Sequence, residues 1–330
     1  MTLYRDVLKR AWGLSWHTKS LWLFGFLATF WGIGNVYGAL IQGLRLAIGR
    51  DFYIVNLWRD IADAGMTWST FGQAITGAPV QAVIFLVILA ALLAIILFFY
   101  WVFTCSQVTV IRQVAAIEQA TSRNVFTALY QSRHFFWPVF WVNVFGRLAI
   151  LAILLILSYG GIANALSDSV TMVGFVGYLA LFLVSVILIL VVSFLVVFSV
   201  IYITVKNYSM TAAIRAAGQL FSRHWLVALE TAAVLLGVSV LAAMALILIA
   251  ILLLGPFYLM VFIAVLLSSP LIYLIMFFGI IAVFVIVAVL VTAWLTTFHL
   301  ATWVELFNRM EAGSVESKLH RLAQAKLGIN

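Results

Sequence analysis

The chain has 330 residues, 66% of them hydrophobic and only 8% charged, with a formal net charge of +8. An ordinary soluble domain carries about 25% charged residues, and no water-soluble core could hide this much apolar surface, so a soluble globular protein is excluded. The bilayer must act as solvent for most of the chain, and its spanning segments must then be helices with internally satisfied backbone groups. The expected fold class is all-α, a polytopic membrane helix bundle.

The first 19 residues carry Arg5, Asp6, Lys9, Arg10 and Lys19, and no small-residue cleavage site follows the first apolar run, so a cleavable signal is not expected. Leu3, Val7, Leu8, Ala11, Trp12 and Leu14 gather near one helical face over residues 3–19, which predicts a short ramp lying on a membrane surface. The first span is expected at about 21–44, where Gly34 and Gly38, one turn apart, offer a close helix contact that suits internal packing and a dimer equally. Residues 45–78 read as a second interfacial helix followed by a loop. The second span follows from Pro79 to a polar edge at Cys105-Ser106-Gln107. A loop and second ramp occupy 112–134, span three 135–159 and a turn Gly160 to Asp168. Span four covers 172–205, the third ramp 206–223 and span five 225–254, which Gly255-Pro256 is expected to break into a re-entrant or interfacial segment reaching Pro270. Span six covers 271–303, and the charged tail is expected to be helical to Leu327.

Of the 18 cations, only Arg45, Arg50 and Arg59 fall on the far side and Arg147 inside span three; all the others share the side of the N-terminus. The positive-inside rule then puts both termini in the cytoplasm, which requires an even number of spans and fits six. One tripeptide punctuates the plan. Ser132-Arg133-His134 returns as Ser222-Arg223-His224, with a looser version at Ser15-Trp16-His17, and each closes an amphipathic ramp and opens an apolar run. The returning arms also end alike, in Thr104-Cys105-Ser106-Gln107, Ile203-Thr204-Val205-Lys206 and Ala301-Thr302-Trp303-Val304. The chain is therefore read as a single integral membrane domain over 1–330, built from parallel hairpin repeats at about 1–112, 113–206 and 207–305 with a cytoplasmic tail 306–330.

Six spans, a ramp before each odd one, and the runs Leu8-Lys9-Arg10-Ala11-Trp12 and Leu21-Trp22-Leu23-Phe24-Gly25-Phe26 resemble bacterial six-span integral membrane proteins of unknown function. These are related to the membrane domain of glycerophosphoryl diester phosphodiesterases. The resemblance is one of pattern over most of the chain, and the soluble phosphodiesterase domain is missing from it. It implies a helical fold in the bacterial cytoplasmic (inner) membrane and leaves activity open.

Ionisable groups cost about 2.5–3.5 kcal/mol each near the bilayer centre on insertion scales, so those inside spans raise functional questions. Arg147 falls about 12 residues into span three, roughly 18 Å of helix rise. Asn143 stands one turn before it on the same face, while Glu230 and His299 belong to the cytoplasmic half of spans five and six. One reading is a polar cluster of Asn143, Arg147, Glu230 and His299 lining a cytoplasm-facing cavity, with Arg147 holding a small or lipid-like anion as in a permease. The other is a structural one, in which these groups fix helix packing in a non-catalytic scaffold that binds lipid or a partner protein. Lys19, Arg133, His134, Arg223 and His224 form a second set, suited to head-group contact, where each cation near anionic lipid contributes about 1 kcal/mol.

Zinc-protease, nucleophile-elbow and phosphate-loop patterns do not occur. The single Cys105 excludes an internal disulfide and any cysteine-rich metal site. No catalytic residue, metal or cofactor is expected, and the positive charge reads as membrane topology rather than nucleic-acid binding. Membrane lipids are the expected partners.

Overall fold

The structure, a computed structural model, describes residues 3–29, 79–118, 125–166, 172–266 and 270–313. These residues are helical except at Thr18, Lys19, Asn207–Ser209 and the closing Ala312–Gly313 turn, and no strand occurs among them. In chain order the elements are α1 (Leu3–His17), α2 (Ser20–Thr29), α3 (Pro79–Glu118), α4 (Val125–Ser132), a 3-10 turn (Arg133–Phe135), α5 (Phe136–Leu166), α6 (Met172–Lys206), α7 (Met210–Leu266) and α8 (Pro270–Glu311). The helices from α3 to α8, apart from the short α4, are long and apolar enough to cross a membrane. Large apolar side chains such as Ile84, Leu97, Leu188, Leu241, Leu252 and Phe278 stand exposed along them. Such a surface requires hydrocarbon around it, and the chain is an integral membrane protein.

The ramp α1 and the starts of α3 and α6 fall where the sequence places them. Of the first span only α2 is described; Gly34, Gly38 and the predicted interfacial helix of 45–78 lie outside the described residues, as does the tail beyond Gly313. Three expectations are corrected. The helix of the second span does not stop at Cys105-Ser106-Gln107, since α3 continues to Glu118 with all three residues buried. The turn expected from Gly160 begins later, because α5 continues through Gly160-Gly161 to Leu166. Gly255-Pro256 does not break span five, because α7 runs on to Leu266. Outside water there is little competition for the backbone groups that a proline frees, and neighbouring helices and local adjustments re-satisfy them. Real stops occur elsewhere: α6 ends before Asn207 at φ 57° and α8 before Gly313 at φ 66°, both left-handed positions that asparagine and glycine tolerate.

The chain divides into two compact units. One comprises 38–102 and 147–191; its described part is the first half of α3, the second half of α5 and the first half of α6. Leu154, Leu157, Ser185 and Ile189 are buried there, while most of α3 from Val83 to Phe99 is exposed.

The other unit comprises 1–37, 103–146 and 192–330 and holds the densest core. Three helix ends in it are buried on every face: 104–111 of α3, 197–204 of α6 and 296–307 of α8. The last two run side by side in the same direction, since Trp303 meets the rings of Phe194 and Phe198, and Phe307 that of Tyr202. Around them pack the outgoing helices. Asn143 of α5 reaches Gln107 of α3, Ser239 of α7 reaches His299 of α8, and α2 lies against α8. Two glycines permit close approach. A Cβ on Gly25 would overlap Thr297 Oγ1 and stand 2.6 Å from the Ala293 carbonyl oxygen, and one on Gly146 would overlap Val196 Cγ2.

Candidate functional site

The residues with chemistry to offer fall into two groups, the ramp-to-span junctions and the buried polar interior. The junctions share a local geometry. At the first, α1 ends at His17 and α2 begins at Ser20. At the second, the α-helix tightens into the 3-10 turn Arg133–Phe135. At the third, α7 carries non-helical angles at His224, φ −128° and ψ 24°. All three departures lie within three residues of the serine of the repeated tripeptide. That serine bonds back to a carbonyl three residues earlier in each case: Ser15 Oγ donates to Trp12 O at 3.1 Å, Ser132 Oγ to Leu129 O at 2.6 Å and Ser222 Oγ to Gln219 O at 3.0 Å. At the first junction the carbonyl of Ser15 itself is taken by the Trp22 indole N–H at 2.7 Å, which ties α2 to α1 across the break.

Each junction presents a cation and an indole to the surroundings. Lys19, Arg133, His134 and Arg223 are exposed and His224 is half-buried. Beside them Trp16 is 50% exposed, Trp137 62% and Trp225 53%. The Arg133 guanidinium lies over the Tyr130 ring with its carbon 3.7 Å from the centroid, which keeps the charge outward while covering its apolar flank. Arg112, half-buried, lies over Phe135 and donates to Gln131 Oε1 at 3.5 Å. A flat amphipathic ring beside a cation is the composition that proteins place at head-group level.

Asn143 is buried and donates through Nδ2 to Gln107 Oε1 at 3.1 Å. His299 is buried with Nε2 3.2 Å from Ser239 Oγ. Glu230 is half-buried on α7. These three belong to the densely packed unit, whereas Arg147 belongs to the other unit and is exposed on α5. Asn143 and His299 thus each have a hydrogen-bonding side chain on a neighbouring helix, drawn from outside the expected cluster.

Sequence reasoning missed Glu305. It reads as a charge at the junction of the last hairpin and the charged tail, yet its carboxylate is only 4% exposed. Arg309 Nε donates to its Oε1 at 2.7 Å across one helical turn, and Arg10 of α1 stands 3.6 Å away. A second ion pair, Lys206 with Glu311 at 2.8 Å, joins the ends of α6 and α8. The available signal for Glu305 was spacing: Arg309 follows it at i+4, and the two residues directly after it, Leu306 and Phe307, are apolar. Many other buried hydroxyls, including Thr109, Thr204 and Thr302, satisfy themselves on a carbonyl four residues back. Among the described residues no group of three or more His, Cys, Asp or Glu side chains is gathered to hold a metal ion.

Comparison with protein-family models, with curated proteins and with solved structures found no match for this chain.

Proposed function

We propose that this chain is a non-catalytic scaffold of the bacterial cytoplasmic membrane that holds anionic lipid head groups at its three ramp-to-span junctions. The observation that carries the reading is the recurrence of an exposed cation within four residues of an exposed tryptophan: Lys19 with Trp16, Arg133 with Trp137, and Arg223 with Trp225. A tryptophan ring favours the glycerol region of a bilayer and a neighbouring cation favours the phosphate layer just outside it. In this reading both termini face the cytoplasm, the spans number six, and the chain is a set of parallel hairpins. The parallel run of α6 and α8 and the shared junction geometry support that plan. So does the likeness of pattern to the six-span proteins named above.

The test is lipid retention. Protein purified from mixed membranes is expected to carry phosphatidylglycerol in preference to phosphatidylcholine. Replacing Lys19, Arg133 and Arg223 together with glutamine should weaken that preference on the order of 100-fold, from about 1 kcal/mol per cation. Equal retention of both lipids by the unaltered protein would remove the reading.

A second reading, transport of a small or lipid-like anion, is favoured by one observation: Arg147 lies within a helix otherwise apolar enough to span. It requires Arg147 to meet the anion during transit. Flux of each anion that the protein moves into vesicles should then collapse in Arg147→Ala, and unchanged flux would eliminate this role.

A further inference from the structure

The serine that opens each repeated tripeptide has no part in head-group contact, yet it is the feature the three junctions share most closely. We infer that Ser15, Ser132 and Ser222 are positioning residues: their hydroxyls, bonded three residues back, set the bend at which each ramp leaves its span and so hold the cation and indole that follow at head-group level. The lipid part of this inference rests on the function proposed above; the bending part does not.

The argument begins with the hydroxyl's choice of acceptor. A serine or threonine hydroxyl in a helix back-bonds to the carbonyl three or four residues earlier; Thr231, Thr292 and Thr302, in unbroken stretches of α7 and α8, take the fourth. Ser132 and Ser222 bond instead to the third carbonyl back, and Ser15 divides its hydroxyl between Ala11 O at 2.8 Å and Trp12 O at 3.1 Å. Departures from α geometry follow at Thr18, Arg133 and His224. Thr204, which also reaches its third carbonyl back, stands two residues before α6 stops. A hydroxyl bonded to a carbonyl of its own helix competes with the backbone N–H for that acceptor, and such competition bends or ends a helix. Placement follows from the bend. The residues after each serine would continue around a straight cylinder; a bend redirects them, and Arg133 and Arg223 at these departures are both exposed.

The experiment uses the full-length protein with spin labels on two exposed positions of α7, Thr211 and Leu241, on either side of the third junction. A straight α-helix would separate their backbones by about 45 Å. The unaltered protein and Ser222→Thr, which keeps a back-bonding hydroxyl, are expected to give a shorter and shared distance distribution. Ser222→Ala is expected to shift toward the straight value. The same proteins are then assayed for phosphatidylglycerol retention, where Ser222→Ala should lose about fivefold, the equivalent of one displaced cation at about 1 kcal/mol, and Ser222→Thr should not. A Ser222→Ala distribution that coincides with the parent overturns the role of the serine. A shifted distribution with undiminished lipid preference confirms the bend and overturns the placement. A parent with no anionic preference overturns the head-group reading and leaves the distance result to decide the bend.

Discussion

Gly25 of α2 and Thr297 of α8 approach so closely that the glycine has no room for a single added carbon. The Thr297 hydroxyl, bonded to Ala293 O at 2.8 Å, lies in the space a Cβ would fill, and its neighbour in that space is the Ala293 carbonyl oxygen itself. A side chain can rotate away, but a helix backbone cannot. Gly25→Ala should therefore force α2 and α8 apart and cost about 1–3 kcal/mol, the usual range for overpacking. Thr297→Ala in the same chain should restore only part of it. Thermal unfolding in detergent, followed by tryptophan fluorescence, would measure both, and full rescue by Thr297→Ala would show that the backbone contact is unimportant.

Glu305 and its two arginines predict an asymmetry. Arg10 is 68% exposed, so Arg10→Ala should cost less than about 1 kcal/mol, as surface ion pairs do. Glu305→Leu removes the carboxylate that two guanidinium groups share and takes from the 20% exposed Arg309 its 2.7 Å partner, which should cost on the order of 3 kcal/mol. Comparable losses from the two substitutions, read from denaturant midpoints in mixed micelles, would contradict this account.

For Asn143 and Gln107 the quantity of interest is their coupling. Interhelical hydrogen bonds between side chains in membrane proteins average about 0.6 kcal/mol in double-mutant cycles. Asn143→Leu, Gln107→Leu and the double variant should give a coupling of that order, read by reversible unfolding. If Asn143 instead serves a transit path, its substitution would change flux in a vesicle assay while leaving this coupling near zero.

Trp22 tests the first junction from the other side. Its indole N–H takes the Ser15 carbonyl that the break releases. Trp22→Phe keeps an aromatic ring and deletes the donor, and should cost about 1 kcal/mol, the worth of a typical hydrogen bond. Hydrogen exchange should localise the loss to residues 3–29, and a loss spread evenly over the chain would argue against a local tie.

The coarse plan was legible because lipid makes simple demands: apolar runs must be helices, and the runs of this sequence mark α3, α5, α6, α7 and α8 without further help. The starts at Pro79 and Met172 were readable for the same reason. What failed were polarity and punctuation used as signs of an edge. Cys105-Ser106-Gln107 looked like a boundary because water is the usual partner of such groups, but Thr109 donates to a carbonyl of its own helix and Gln107 Oε1 accepts from Asn143 of the next one, so a polar run can sit buried within the protein. Gly255-Pro256 looked like a break because in water it would be one. The tripeptides, by contrast, mark bends that no hydropathy profile registers. As for the site, the exposure of Lys19, Arg133 and Arg223 was readable from charge. The partners of Asn143 and His299, and the burial of Glu305, depend on which helix neighbours which, and periodicity within one helix carries no information about that.

The contacts of α8 carry a consequence for how the protein is made. Its neighbours include α1 and α2 as well as α7, and the hydrogen bond between Thr29 and Thr296 joins positions 267 residues apart. Synthesis proceeds from the N-terminus, so the ramp and the first helix enter the membrane long before their final partner exists. They must wait there, with Val7, Ala11 and Ser15 uncovered, until the last helix is inserted and packs against them. Completion of this fold is thus a late event in biogenesis, and loss of the final helix would leave the first ones stranded rather than merely shortening the bundle.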